Sequence, residues 1–295
     1  MAKIALELDE ALARRALDGG PGRMTGRVLA EGPDWSVSDM VCTAGPQDRP
    51  FEERHPHVFI GLVVAGTFQY HSAGGCDLLT PGSLMLGNAG QCFECRHEYG
   101  TGDRCLSFAY GPDYFGRLAA AADAGGRAPD FRILRLPPLP ALSPLVARAC
   151  AGLASAADMK WKELSIQVAA QSVRLAHGLP PDLGRVPRTA QAGVAAAVRT
   201  IEGRADSALT VTSLAREARL SPYHFLRTFK RVTGVTPHQY VLRVRLRDAA
   251  LRLSEGSSRV LDVAFDCGFS DVSNFNHAFL REFGVSPRVY QARSA

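Results

Sequence analysis

The chain has 295 residues, of which 46% are hydrophobic, and a formal net charge of +5 at pH 7. This length exceeds that of a usual single domain, so we expect two domains with enough apolar residues to fill their cores. No apolar run approaches the roughly 18–20 residues that a membrane span needs. Charged residues interrupt the N-terminal sequence, which therefore lacks the apolar segment of a signal peptide. We expect a cytoplasmic protein that does not associate with membranes.

Short apolar runs broken by glycine and proline follow one another from about Val28 to Tyr110. Such runs begin at His57, Leu78 and Cys105. Closely spaced strands with turn signals are typical of a compact sandwich or barrel. Alanine-rich sequence with helical periodicity then extends from Ser143 to His177. We predict an N-terminal domain over residues 1–178, with helices at 143–178.

The C-terminal part differs from the N-terminal part in both periodicity and charge. A proline-rich stretch at residues 179–190 predicts a linker, and residues 191–295 look helical throughout. Residues 185–295 carry 17 basic and 9 acidic side chains, whereas residues 1–184 carry 17 and 20. A basic domain beside a mildly acidic one indicates a polyanion partner, although a solvated basic surface has the same charge. The predicted fold class is α+β, with an all-α C-terminal domain.

The C-terminal sequence contains a degenerate internal repeat. At an offset of 50 residues, the residues Phe225, Phe229, Arg231, Gly234, Val235, Pro237 and Tyr240 match Phe275, Phe279, Arg281, Gly284, Val285, Pro287 and Tyr290. At an offset of 49, the upstream residues Val211, Leu214, Ala215, Leu220 and Ser221 match Val260, Val263, Ala264, Phe269 and Ser270. One extra residue in the turn of the second copy explains the change of offset.

Each copy reads as a helix-turn-helix unit. In the first copy, Ser221 can cap a helix that has a proline at its first position, and Gly234 can end it. In the second copy, Ser270 or Asp271 starts the corresponding helix and Gly284 ends it. The matched phenylalanines recur at helical spacing and predict the buried face of each second helix. The opposite faces are therefore left exposed.

The exposed faces carry side chains suited to DNA. On the first copy they are Tyr223, Leu226, Arg227 and Lys230, and on the second they are Ser273, Asn276 and His277, with Arg281 further along. Arg227 can donate to guanine O6 and N7, and Asn276 can pair with adenine N6 and N7. Lys230, Arg231 and Arg281 lie nearer the helix C-termini and suit phosphates. The arginine-rich stretch from Pro237 to Ser254 predicts one long helix that would hold the two units about one DNA turn apart, roughly 34 Å.

These features resemble the AraC/XylS family of bacterial transcriptional regulators. The signature is the stretch Val260-Leu-Asp-Val-Ala-Phe-Asp-Cys-Gly-Phe-Ser, followed by Phe275, Phe279, Phe283-Gly-Val-Ser-Pro and Tyr290. The resemblance covers about 100 residues and implies a tandem domain that binds promoter DNA. It also implies an N-terminal cupin-like domain that senses an effector or forms a homodimer. The positions that match the family's DNA-facing residues are Tyr223, Leu226, Arg227, Val272, Ser273, Asn276 and His277.

A cluster of thiols and imidazole follows the C-x-x-C pattern in the N-terminal domain. Cys92, Cys95, His97 and Cys105 could complete a tetrahedral site, and their softness favours Zn²⁺ or another thiophilic metal. A redox-sensing dithiol between Cys92 and Cys95 is a second interpretation. The third is that these are ordinary packed thiols in adjacent strands. His55 and His57 resemble the histidine pair of metal-binding cupins, but the glutamate and the second-motif histidine are missing.

Three functional classes remain at the level of sequence. The favoured one is a non-enzymatic transcriptional regulator whose N-terminal domain responds to an unidentified effector, a metal or a thiol signal. A cupin-type metalloenzyme with an accessory DNA-binding domain is the alternative, and the missing cupin ligands disfavour it. A DNA-methyl-repair protein that controls transcription also combines cysteine chemistry with AraC-type domains, but its alkyl-acceptor sequence is absent.

Overall fold

The computed structural model describes residues 2–122, 130–154, 159–179, 186–256 and 258–294. The strands are β1 Met24–Gly32, β2 Trp35–Cys42, β3 Phe51–Arg54, β4 Val58–Gly66, β5 Phe68–Ser72, β6 Gly75–Leu79, β7 Leu84–Gly87, β8 Cys92–Arg96, β9 Asp103–Tyr110 and β10 Arg135–Leu136. The helices are α1 Ala2–Asp18, α2 Pro112–Ala122, α3 Ser143–Ala154, α4 Trp161–Gly178, α5 Arg188–Arg204, α6 Val211–Glu217, α7 Pro222–Thr233, α8 Pro237–Ser254, α9 Val260–Asp266, α10 Val272–Phe283 and α11 Pro287–Ser294.

The chain forms two compact units. The N-terminal unit contains the described residues within 2–137 and 156–186, and the C-terminal unit contains those within 138–155 and 187–295. The α+β class, with strands in the first unit and helices in the second, is confirmed. No helix among the described residues has the length and apolar character of a membrane span. Half of the predicted linker at 179–190, residues 180–185, lies outside the described residues. Its last three residues belong to α5, which begins at Arg188, so the predicted end of the linker at residue 190 is wrong.

Two antiparallel sheets build the N-terminal unit. Their strand orders are β1-β2-β9-β4-β7-β10 and β3-β8-β5-β6. The core between the sheets draws Val63, Met85 and Cys105 from the first sheet and Phe68, Tyr70 and Leu79 from the second. Because strand residues alternate between faces, Val63 of β4 points inward and its neighbours Leu62 and Val64 point outward, yet all three are apolar and buried. The first sheet is therefore buried on both faces at β4. The predicted sandwich is therefore formed by the runs that the sequence marks as strands.

Helices cover parts of the first sheet. α1 contacts β2, β4 and β9, and its Leu8 is buried. Arg15 of α1 donates to Asp48 over 2.7 Å, which ties the helix to the loop after β2. α4 packs against α2, and the Tyr110 hydroxyl donates to the Ser165 carbonyl over 2.7 Å. The sequence reading did not anticipate α1, because charged residues interrupt its apolar stripe.

The structure divides the helical middle of the chain differently from the sequence-based boundary. α4 belongs to the N-terminal unit as expected, whereas α3 groups with the C-terminal unit. Ala147 of α3 joins a buried cluster with Ala250 and Leu253 of α8 and with Phe279 of α10. Helical periodicity shows that a helix has an apolar face, but it does not show which neighbour covers that face. The boundary of the C-terminal unit therefore includes a helix from before residue 178.

Candidate functional site

The first helix-turn-helix unit consists of α6, a short turn and α7. The Thr210 side chain caps α6 and forms a reciprocal capping box with Ser213. The Ser221 side chain accepts from the His224 amide over 3.3 Å and caps α7, with Pro222 at its first position. Gly234 ends α7 in the left-handed conformation at φ 80°. The predicted start and stop signals therefore have the predicted roles.

The second unit repeats this arrangement with α9 and α10. Asp271, rather than Ser270, caps α10, accepting from the Ser273 amide over 2.9 Å. Gly284 ends the helix at φ 72°, as Gly234 ends α7. Gly268 forms the turn between the two helices at φ 84°, where a Cβ atom would lie 2.5 Å from the Asp206 carbonyl oxygen. Only glycine fits this turn without strain.

Each of the two units has its own aromatic core, and the two cores are built in the same way. Phe229 meets Tyr240 edge to face, with ring centroids 5.7 Å apart and an interplanar angle of 84°. Fifty residues later, Phe279 meets Tyr290 at 5.3 Å and 80°. Phe225 and Phe275, the first aromatic residue of each second helix, are also fully buried. The sequence repeat is therefore a structural repeat, in which α7 and α10 are equivalent helices.

Burying these aromatic stripes leaves the opposite faces of α7 and α10 in solvent. The exposed members of the predicted DNA-contact set are Tyr223, Leu226, Arg227, Lys230, Arg231, Ser273, Asn276, His277 and Arg281, and Val272 is half-buried. Tyr223 is 71% exposed although it is aromatic, and the Arg227 guanidinium lies 6.0 Å from its ring centroid. An exposed aromatic residue beside an arginine is a surface that favours a partner over water.

A family model described as a helix-turn-helix domain matches residues 214–293. The match runs from the buried core of α6 to α11 and so includes both units. The matched residues are therefore a helix-turn-helix domain. Because the signature in α9 and its turn is similar to that of the AraC/XylS family, we call the two units together the AraC-type domain.

Curated relatives match the same AraC-type domain. The probable transcriptional regulator LumQ from Photobacterium leiognathi is 42% identical over 91 residues, which is 31% of this chain and 37% of that protein. The HTH-type transcriptional activator RhaS from Escherichia coli O139:H28 is 42% identical over 76 residues, which is 26% of this chain and 27% of that protein. The chain therefore spans only about a third of the length of these relatives, or less.

A crystal structure of a transcriptional regulator from Chromobacterium violaceum, described as AraC-type DNA-binding domain-containing, also matches. It is 27% identical, covers 37% of this chain and 97% of that chain, and has a TM-score of 0.34.

The arginines of α8, which joins the two units of the AraC-type domain, bind acceptors inside the C-terminal unit. The N···O distances are 3.2 Å for Arg243–Glu282, 2.6 Å for Arg245 to the Ala205 carbonyl, 2.6 Å for Arg247–Glu202 and 3.1 Å for Arg252–Asp266. Burial alone would lower the pKa of the Arg247 guanidinium, but the negative charge of Glu202 more than compensates, so the pKa is raised. These arginines hold α8 in place, so we do not add them to the DNA-contact set.

α3 also binds the second unit of the AraC-type domain. The Ser143 hydroxyl donates to Glu282 over 2.5 Å, and Glu282 accepts from Arg243 as well. Since Glu282 lies on α10, this network connects the start of α3 to the second DNA-facing helix. A chain that begins at residue 185 would lack α3 and expose this side of α10. DNA binding is therefore best measured on the full chain.

The four predicted metal ligands do not converge. Cys92 and Cys95 lie three residues apart on β8, so their side chains point to opposite faces of the sheet. Cys92 is exposed, whereas Cys95 faces the core together with Phe93. Inclusion of Cys92 in a common site with Cys95 and Cys105 is contradicted by this geometry. The C-x-x-C spacing is misleading here because a strand has a period of two residues.

The structure instead brings a different set of donors together. Ligand atoms of Cys42, His97 and Asp103 all lie within 4.8 Å of one another, and all three residues are buried. His97 Nε2 lies 2.6 Å from one oxygen of Asp103. The Cys105 thiol donates to the other oxygen over 3.1 Å. Of the predicted metal ligands, His97 therefore belongs to this cluster and Cys105 is hydrogen-bonded to it. Sequence reasoning missed the other two members of the cluster, Cys42 and Asp103.

The thiols around Asp103 are poor nucleophiles. Burial and the negative charge of Asp103 raise the pKa of Cys42 to about 12. The same two causes raise the pKa of Cys95 and of Cys105. Because the thiolate is the reactive form, these cysteines are protonated and unreactive at neutral pH as long as no cation is bound to them. This disfavours the redox-dithiol interpretation for the inward-facing cysteines.

The His55–His57 pair lies in the connection between β3 and β4, and the two side chains have different surroundings. His55 is buried, stacks on Phe93 with ring centroids 3.9 Å apart and lies 2.8 Å from the Tyr70 hydroxyl. Burial lowers the pKa of His55 to about 4. His57 is exposed. His55 is therefore a neutral packing residue of the sandwich.

Proposed function

We propose that this protein is a transcriptional regulator that binds promoter DNA through α7 and α10 of its AraC-type domain. The observation that carries this proposal is the equivalence of the two helices. Each buries an aromatic stripe through the same edge-to-face contact and presents an exposed polar face. A second helix of this kind is the element that enters the major groove in helix-turn-helix proteins.

The base-reading residues we propose are Arg227 on α7 and Asn276 on α10. Arg227 offers a planar pair of donors that matches guanine O6 and N7. Asn276 offers one donor and one acceptor, which match adenine N7 and N6. Leu226 and the half-buried Val272 present apolar atoms that can contact a thymine methyl group. Tyr223, Ser273 and His277 complete the groove-facing set.

The phosphate contacts we propose lie further along the same helices. Lys230 and Arg231 occupy the last turn of α7, and Arg281 occupies the last turn of α10. All three are exposed. Phosphate contacts fix the register of a protein on DNA and carry no base information, so their loss should weaken all sequences alike.

α8 sets the separation of the two units in this proposal. Its 18 residues give a helix about 27 Å long, at about 1.5 Å per residue. Its ion pairs with Glu202 and Glu282 connect it to α5 and to α10. A rigid connector of this length is compatible with two successive major grooves on one face of the duplex, which are roughly 34 Å apart. The two faces differ in sequence, so we expect two different half-motifs.

We further propose that the N-terminal unit is the sensor of the protein. A packed two-sheet domain attached to an AraC-type domain can bind a small effector or a second copy of the chain. The alternative of a cupin-type metalloenzyme is disfavoured, because His55 is buried against Phe93 and His57 points to solvent. The curated relatives of the AraC-type domain are named as regulators of transcription, which supports the non-enzymatic reading.

The test uses the full chain and a random pool of DNA duplexes. Rounds of selection should yield one enriched site with two unlike half-motifs. Binding to that site should weaken with salt. If three phosphates are contacted, affinity falls roughly 40-fold between about 50 and 200 mM salt. Selection that enriches no sequence, or affinity that does not change with salt, would contradict the proposal.

A further inference from the structure

The donors near Asp103 come from separate parts of the N-terminal unit. Cys42 ends β2, Asp103 begins β9 and His97 follows the last residue of β8. All three are at most 7% exposed, and their ligand atoms lie within 4.8 Å of one another. Among the described residues, these three form a group of histidine, cysteine and acidic side chains whose ligand atoms are close enough to hold one metal ion.

The sheet architecture explains why these residues meet. Cys42 and Asp103 are direct cross-strand partners on β2 and β9, so their side chains project from the same face. His97 comes from the opposite sheet, where it lies two residues after the inward-facing Cys95. The donors are therefore attached to the ends of rigid strands in two packed sheets. Such placement holds ligands more accurately than a loop would.

The donor types fit a thiophilic divalent cation. Thiolate, imidazole and carboxylate are the ligands that Zn²⁺ takes in proteins, at about 2.0–2.3 Å. Donor atoms around a tetrahedral ion are then about 3.5 Å apart. His97 and Asp103 are closer than this, at 2.6 Å, and the rest of the cluster is within 4.8 Å. Shifts on the order of 1 Å would reach a tetrahedral arrangement.

A comparison with a neighbouring carboxylate shows what is unusual about Asp103. Asp39, on the same pair of strands, is buried and receives two hydrogen bonds from Arg104, at 2.9 and 2.7 Å. That carboxylate is neutralised by a guanidinium. Asp103 is instead surrounded by the His97 imidazole and the Cys105 thiol, two groups that themselves bind metals. A cation among them would supply the positive charge that Arg104 supplies to Asp39.

A cavity borders the cluster at His97. It has a volume of about 190 Å³ and is lined by His97 and Cys95 on one side and by the loop after β2 on the other. That loop, which includes Gly45 and Asp48, follows Cys42 directly in the chain. A metal site needs both its ligands and an entry route.

We propose that Cys42, His97 and Asp103 bind a divalent thiophilic cation of the Zn²⁺ class. Cys105 is a positioning residue in this proposal, because its thiol holds the second oxygen of Asp103. Groups that orient a ligand in this way typically change metal affinity about 10- to 100-fold when removed. The site does not depend on DNA binding, so the two proposals can fail separately.

The test uses the full chain, stripped of metal under anaerobic conditions, in a background that carries Cys76→Ser and Cys92→Ser. Both of these cysteines are exposed, and Cys76 lies 3.3 Å from His71, so the two substitutions remove the exposed thiols that could bind zinc at the surface. Zn²⁺ alone should bind with a stoichiometry of one, and Co²⁺ alone should give the thiolate charge-transfer absorption of a tetrahedral site. Cys42→Ala and Asp103→Asn should each weaken Zn²⁺ binding by 10-fold or more.

Melting of the metal-free proteins controls for folding. Variants that melt like the background yet gain no stability from Zn²⁺ support the site, because a ligand of the folded state raises its melting temperature. If a variant does not fold, the Co²⁺ spectrum of the background still decides. A background protein that binds no equivalent of Zn²⁺, or that shows no thiolate absorption with Co²⁺, overturns the proposal. So does full Zn²⁺ affinity in folded Cys42→Ala.

Discussion

Phe229 and Tyr240 meet edge to face inside the first helix-turn-helix unit, with ring centroids 5.7 Å apart. The pair links the DNA-facing helix α7 to the connector α8, and Phe279 with Tyr290 makes the same link between α10 and α11. The position of each recognition face therefore depends on the aromatic contacts behind it, which for α10 also include Phe283 with Tyr290 at 5.4 Å. This dependence gives the first prediction.

Phe279→Ala should destabilise the C-terminal unit strongly. Phe279 is fully buried, so its truncation removes buried apolar surface and leaves a cavity, at a cost of about 3–5 kcal/mol. The control is Leu280→Ala on the same helix, which is 48% exposed and should cost about 1 kcal/mol or less. Urea unfolding followed by far-UV circular dichroism measures both. Equal effects of the two substitutions would contradict the buried position of Phe279.

Breaking the buried ion pair between Arg247 and Glu202 should be more costly than breaking a surface pair. Glu202→Gln leaves a buried guanidinium without its counter-charge, which costs about 3–5 kcal/mol. Asp266→Asn breaks the surface pair with Arg252, in which the Asp266 side chain is 63% exposed, and should cost at most about 1 kcal/mol. The Arg247→Met, Glu202→Gln double variant should recover part of the loss, because it removes both charges. If the losses of the single variants Arg247→Met and Glu202→Gln simply add in the double variant, the two residues do not interact.

Removing the glycine from the turn of the second unit should destabilise the protein, whereas introducing a glycine into the turn of the first unit should not. Gly268→Ala places a Cβ atom against the Asp206 backbone at φ 84°, so we expect a loss of more than about 2 kcal/mol. Arg219 occupies the equivalent position in the first unit at φ 56°, a conformation that disfavours side chains by about 1–2 kcal/mol. Arg219→Gly should therefore be neutral or stabilising. Thermal melting compares the two variants, and a strongly destabilised Arg219→Gly would contradict the equivalence of the turns.

The stability of the N-terminal unit should fall as the pH drops from about 6.5 towards 4. Burial lowers the pKa of His55 to about 4, below the 6.5 of an exposed imidazole. As the pH falls, His55 is protonated in the unfolded chain before it is protonated in the folded chain. The stability that neutral His55 contributes to the folded state is therefore complete above pH 6.5 and is lost as the pH falls. The loss is about 3 kcal/mol over this window.

Tryptophan fluorescence isolates this effect, because Trp35 and Trp161 both lie in the N-terminal unit and the chain has two tryptophans. His55→Gln should be less stable at neutral pH but should lose most of the slope between pH 6.5 and 4. The other histidines are common to both proteins and cancel in the comparison. Identical slopes in the wild type and in His55→Gln would exclude His55 as the cause.

The AraC-type domain was accessible to sequence reasoning because its signals are local. Ser221 with Pro222, Asp271 and the two helix-ending glycines act within a few residues of themselves, and the repeat places them in register. The assignment of α3 was not accessible in the same way. Its residue Ala147 packs against α8, a hundred residues later in the chain, and no local pattern names that partner.

The metal cluster shows the same limit. The C-x-x-C pattern placed Cys92 beside Cys95, but strand alternation separates them, whereas Cys42 joins from more than fifty residues away. A usable signal was present in the period of two that relates Cys95 to His97 and Asp103 to Cys105. That signal places each pair on one face of a strand, but it does not show that β2 pairs with β9. Cross-strand pairing is a property of the folded sheet.

The most direct test of the central claim is repeated selection of binding sites with Arg227→Ala and Asn276→Ala in the full chain. Exposed Arg14→Ala, on α1 of the N-terminal unit, is the matched control. Arg227→Ala should relax a guanine preference in one half-motif, and Asn276→Ala should relax an adenine preference in the other. Each should weaken binding to the wild-type site about 10-fold, from about 1–3 kcal/mol per base contact. Variants that select the wild-type site with wild-type affinity would contradict the account.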